Sequence, residues 1–128
     1  MLAKANRLLT ADDFRVTMRT GRKLSTGTTV IYLKRDLGNP QARFGFVVAK
    51  SVGNAVTRNL VKRRLRVLAR NSLSQIPAGT SIVVRALPAA STADWNKLST
   101  EFTSAMERAF AQDRAAFLGS DSTEVTNQ

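Results

Sequence analysis

The sequence predicts a single α+β domain, a two-layer arrangement in which a small sheet packs against helices. Two observations carry that prediction. The chain has 128 residues and is 43% apolar, enough for one hydrophobic core and too little for two. Segments that alternate with a period of two and are rich in β-branched or aromatic residues are interleaved with segments whose apolar residues recur at helical spacing. No internal repeat is present.

The first helix is signalled at Thr10, whose hydroxyl can cap, followed by Asp12 and Asp13 in the first turn, where carboxylates meet the positive end of the helix dipole. Leu9 and Phe14 have the spacing of a hydrophobic staple across that cap, Phe14 and Met18 share a face, and Gly21 ends the helix. Residues 28–34, TTVIYLK, read as a strand, Gly38, Asn39 and Pro40 as a turn, and residues 43–49, RFGFVVA, as a second strand. The two strands are expected to form a hairpin. Asn54 caps a long second helix running to about Leu73, Pro77 and Gly79 interrupt, and residues 80–85, TSIVVR, form a third strand. The last helix opens at residues 91–94, and Trp95, Leu98, Phe102, Met106, Ala109 and Phe110 follow the i, i+3, i+4 rule. The order is α-β-β-α-β-α. The folded domain is expected over residues 1–118, with the polar stretch 119–128 as a disordered tail.

Charge narrows the function classes. There are 20 Lys and Arg against 9 Asp and Glu, a formal net charge of +11, with no His and no Cys. The commonest metal ligand and general base are therefore missing, as are disulfides and thiolate chemistry. No acid occurs in residues 37–93, where nine bases fall: Arg43, Lys50, Arg58, Lys62, Arg63, Arg64, Arg66, Arg70 and Arg85. A field of one sign calls for a polyanion to neutralise it. A membrane-surface helix would pair its bases with a broad apolar face not needed for the core, so nucleic acid is favoured over membrane. There is no apolar run long enough to span a bilayer, and Met1 to Arg7 lacks the apolar stretch of a signal peptide, so a cytoplasmic location is expected.

The second helix concentrates the charge. At 100° per residue, Arg58, Lys62, Arg66, Asn59, Arg70 and Arg63 occupy an arc of about 140°. Val67, Leu60, Leu68, Val61 and Leu65 fall on the opposite arc, expected to face the sheet. Arg64 lies inside that apolar arc and must snorkel, sit at the core edge or meet a partner. An ordinary solvated face mixes signs to gain i, i+4 pairs, whereas this one has no acid, and four of its five cations are Arg, whose planar fork suits phosphate.

The stretch RFGFVVAKSVGNAVTRNLVKRRLR, residues 43–66, closely resembles the signature of the protein subunit of bacterial ribonuclease P. There, a strand of the form R-x-G-x-x-V-x-K leads through G-N-A-V into a helix bearing R-N-x-x-K-R-x-x-R. The resemblance implies that Arg58, Asn59, Lys62, Arg63 and Arg66, with Arg70 on the same face, bind RNA, joined by Lys50 and Asn54 from the preceding loop. Leu60 stands where the family usually has a base, Ser51 where it often has a second Lys, and Met18 where it commonly has an aromatic. It further implies a cleft for the single-stranded 5′ leader of precursor tRNA, here matching Phe14, Met18, Val30 and Tyr32.

What the resemblance implies for chemistry is a protein without catalytic residues of its own. The catalyst would be an RNA subunit. The protein would bind that RNA and the leader and assist endonucleolytic removal of the leader to form the mature tRNA 5′ end. Mg²⁺ would be held mainly by the RNA subunit and the substrate, with no metal site on the protein, no membrane contact and no protein partner required. For the fold, the resemblance adds a fourth short strand, a mostly antiparallel sheet and a left-handed β-α-β crossover of the kind found in a ribosomal-protein domain. Two rivals fit the charge alone: a general RNA-binding or ribosomal protein without associated catalysis, and a DNA-binding protein whose basic helix enters the major groove.

Overall fold

A computed structural model describes residues 2–35 and 40–121, with side chains described through residue 111. Helix α1 (Ala11–Thr20) starts as the sequence predicts: Thr10 Oγ1 accepts from the Asp13 amide at 3.1 Å, and Gly21 closes the last turn by donating to the Thr17 carbonyl. Strands β1 (Arg22–Ser25), β2 (Thr29–Arg35) and β3 (Arg43–Val47) follow, then α2 (Ala55–Ser72), β4 (Thr80–Ala86) and α3 (Trp95–Asp121). Asn54 Oδ1 caps α2 by accepting from Thr57 N at 2.9 Å, and Asp94 Oδ1 accepts from Lys97 N at 2.8 Å at the start of α3. Gly38 and Asn39 of the expected turn lie outside the described residues, as do residues 122–128 of the expected tail; the α3 backbone continues through Asp121.

The strands form one mixed sheet in the order β1-β2-β4-β3. The expected hairpin between residues 28–34 and 43–49 does not form. β2 pairs antiparallel with β1 on one side and with β4 on the other, and β3 pairs only with β4, in parallel. The reason is burial. β4 contributes Ile82, Val83 and Val84, all fully buried, and a strand apolar toward both faces belongs in the middle of a sheet. The hairpin is instead β1–β2, and β1 is the fourth strand that the resemblance implied.

The two faces of the sheet are unequal. On one, Ile31, Leu33, Phe44, Ile82 and Val84 pack against Val61, Leu65, Leu68 and Ala69 of α2 and Leu98, Phe102, Ala105, Met106 and Ala109 of α3, forming the main core. On the other, Leu8, Val30, Tyr32 and Val83 form a smaller cluster partly covered by Phe14 and Met18 of α1. The N-terminal segment shields the outer edge of β3, with the Leu8 amide donating to the Phe44 carbonyl at 2.8 Å.

One carboxylate ties α3 to the sheet. Glu101 Oε1 accepts from the Thr28 amide at 2.9 Å and the Thr28 hydroxyl at 2.7 Å. The Thr28 hydroxyl, more than its amide, holds the acid below its ordinary value of 4.5, against the opposing effect of burial. A depressed folded value means stability that is present at neutral pH and lost as pH falls through that value. Glu101→Gln is therefore expected to cost about 1–2 kcal/mol at pH 7. Denaturant unfolding at pH 7 and pH 3 should show the gap to the parent closing in acid; an equal gap at both would rule the carboxylate out as the cause.

Candidate nucleic-acid interface

Helix α2 presents its cations much as the wheel predicts, with its buried seam rotated. Val61, Leu65, Leu68 and Ala69 face the core, whereas Leu60 and Val67, expected in the packing arc, remain 39% and 44% exposed. The buried residues span only about 100° of the helix, because a helix laid on a sheet edge meets it along a narrow line. Asn59, Arg63, Arg66 and Arg70 are exposed, and Arg58 and Lys62 are half-buried at the margin. Arg64 resolves its conflict by reaching the start of α3, where its guanidinium donates to the Ala93 carbonyl at 3.3 Å.

The loop that feeds α2 is built for a close turn. Lys50 lies exposed in a short turn, Lys50–Val52, followed by Gly53 at φ +156°. An added Cβ there would sit 3.0 Å from Thr57 Cβ, so the backbone needs glycine both for its dihedral and for space. Arg58 Nε donates back to the Gly53 carbonyl at 3.1 Å, which braces this turn while leaving the remaining guanidinium nitrogens available. Asn54 spends its side-chain carbonyl on the helix cap, a structural task alongside any contact with RNA.

Three of the four residues expected in a leader cleft, Phe14, Met18 and Tyr32, line an open groove of about 630 Å³ between α1 and the sheet, with Ala11, Arg15 and Arg19. Tyr32 is only 8% exposed. What remains exposed of it lines the groove. Val30 does not line the groove; it lies beneath, packed with Tyr32 and Val83. Phe14 and Met18 do both jobs, closing the small cluster and forming the wall.

Phe14 also lines an adjoining depression with Arg7, Phe46, Lys62 and Arg66. Groove and basic helix thus adjoin at Phe14, which lines both depressions beside Gly45 of the outer strand β3. A Cβ on Gly45 would lie 2.5 Å from the Phe14 ring, so glycine there is what lets the ring settle against the strand. Arg7 was missed by reading the helices alone. Its signal was the pair of bases, Lys4 and Arg7, preceding the first cap, but only the bridge between Arg7 and Phe44 brings it beside α2.

The chain matches the family model described as Ribonuclease P over residues 2–110. The chain belongs to the ribonuclease P protein family. It is 45% identical over 109 residues to the ribonuclease P protein component of Clavibacter michiganensis subsp. michiganensis, covering 85% of this chain and 96% of the relative. To that of an Arthrobacter species it is 49% identical over 107 residues, covering 84% and 79%. Among solved structures, the Staphylococcus aureus RNase P protein superposes with a TM-score of 0.76 at 26% identity, covering 83% of this chain and 96% of that one. The Thermotoga maritima RNase P protein superposes at 0.71 with 27% identity, covering 80% and 96%. The chain therefore takes the role of the protein component of ribonuclease P, within a ribonucleoprotein endoribonuclease, and shares the small α+β fold of that family. Neither rival reading accounts for a family match spanning α1 through most of α3.

Proposed function

We propose that this ribonuclease P protein binds the catalytic RNA through the exposed face of α2 and its preceding loop, and the 5′ leader of precursor tRNA through the groove beside α1. The observation that carries the reading is that the two surfaces adjoin at Phe14, beside Gly45, with cations on one side and an aromatic, apolar wall on the other. Cations that follow phosphates give affinity without sequence preference, and unstacked bases on an apolar wall contribute about 1–3 kcal/mol each. Counter-charge from α2 lets two polyanions approach one another, so the protein aids substrate binding while the RNA performs cleavage.

Asp12 is engaged with Arg15, Asp13 lies 3.7 Å from Arg43, and no cluster of three potential ligands occurs among the described residues. The division of labour is tested by adding the purified protein to the catalytic RNA at low Mg²⁺. Stimulated 5′ processing of precursor tRNA is expected, and absence of stimulation would sink the proposal. Tyr32→Ala should weaken binding of leader-bearing precursor by about 1–2 kcal/mol, near the low end for loss of one stacking platform, and leave mature tRNA unaffected. Equal losses on both substrates would remove the leader from the groove.

A further inference from the structure

We propose that Arg85 is a phosphate ligand beside the groove, on the row of the sheet next to the one that carries Tyr32, holding a single strand of RNA that runs along it; this rests on the leader reading above. Arg85 is the only charged residue of β4, the strand held between β2 and β3. Strand alternation places it with Ser81 and Val83 on the α1 side, and the register sets it in one row with Val30 and Val47. Both valines belong to or pack on the cluster beneath the groove. A guanidinium side chain therefore stands in an otherwise apolar row of the sheet.

Arg43 of β3, opposite the other end of β4, has partners for its terminal nitrogens, although its Nε, like that of Arg85, is buried without one. Arg43 donates to the Ser81 hydroxyl at 3.2 Å, and α1 brings Asp13 to within 3.7 Å of it. No acid serves Arg85 in this way among the described residues. The two acids of α1 are already engaged with Arg15 and Arg43, and Arg85 Nε is buried without a hydrogen-bond partner. A buried, unpartnered N–H on a cation is costly in the free protein and is relieved when an anion arrives. The planar fork suits a phosphate, and Phe14, Met18 and Tyr32 along the neighbouring groove suit a base, so the ligand class is an unstacked nucleotide: base in the groove, phosphate on the fork.

The test uses the full chain assembled with its catalytic RNA and compares Arg85→Met, which keeps the apolar stem, with Arg85→Lys, which keeps the charge. Precursor tRNA with a long leader, precursor with a single-nucleotide leader and mature tRNA are the three ligands. Arg85→Met should weaken binding of the long-leader precursor about tenfold, the loss of one charge-assisted contact. It should also make the slope of log affinity against log salt shallower by about 0.7, the release from one single-strand phosphate. The other two ligands should be unchanged, Arg85→Lys should retain the parental slope, and the melting temperature of Arg85→Met should equal or exceed that of the parent. A lowered melting temperature, or equal losses on all three ligands, would make Arg85 structural and overturn the proposal. If Tyr32→Ala discriminates by leader and neither Arg85 variant does, the groove reading stands and Arg85 falls; if none discriminates, the groove reading itself falls.

Discussion

Replacing Lys62, Arg63 and Arg66 together by alanine is expected to lower affinity for the catalytic RNA by about 10²- to 10³-fold, at roughly 1 kcal/mol or more per charge-assisted contact. Arg63 and Arg66 are exposed, Lys62 is half-buried beside the Arg66 depression, and none has a recorded acidic partner among the described residues. Alanine favours the helix, so stability should change little, and removing like charges one turn apart relieves repulsion. Arg58 is deliberately left out, because its Nε braces the Gly53 carbonyl and its loss would mix a loop effect with a binding effect. Filter binding over a salt series checks the prediction. The triple variant should lose about 0.7–0.9 of slope for each phosphate no longer neutralised. An unchanged slope would place the RNA elsewhere.

The second large effect is steric. Gly21→Ala is expected to destabilise the domain by about 2–3 kcal/mol, at the upper end for an overpacked site. The backbone at Gly21 is in an ordinary extended conformation, so the cause is space alone: a Cβ there would lie 2.4 Å from the Thr17 carbonyl oxygen and 2.6 Å from that of Leu33. Both obstacles are main chain, and neither can swing aside. α1 must lift from β2, which widens the groove that Met18 and Tyr32 line. Chemical denaturation measures the loss, and leader-dependent binding should weaken in parallel. Parental stability in Gly21→Ala would show that α1 does not need its close approach to the strand.

What the sequence disclosed depended on how far apart the interacting groups lie along the chain. Thr10, Asn54 and Asp94 cap their helices as expected, because a cap is settled within three residues. Strand partnership is not local. Nothing in TTVIYLK or RFGFVVA says that a strand beginning only at Thr80 will come between them, and the short edge strand β1 has only Leu24 turned toward the core. The basic face was legible because charge sign and helical period are both sequence properties. The margin of that face was not, since Leu60 and Val67 owe their exposure to the angle at which α2 meets the sheet. Arg64 was recognisable as an anomaly, but its acceptor, the Ala93 carbonyl, lies 29 residues away.

The strand order also sets a timetable. β1 and β2 can pair as soon as they exist, but β3 has β4 as its sole strand partner, and α2, with all its cations, is made in between. Until the chain has been extended through Ala86, Phe44 and Phe46 lack the strand they hydrogen-bond to and the apolar seam of α2 lacks Ile82 and Val84. Long-range closure of this kind slows folding relative to helical domains of similar size. Until β4 docks, the cations of α2 and its uncovered apolar seam share one helix, so the basic face proposed to hold RNA acquires its final setting only when a strand made later has arrived.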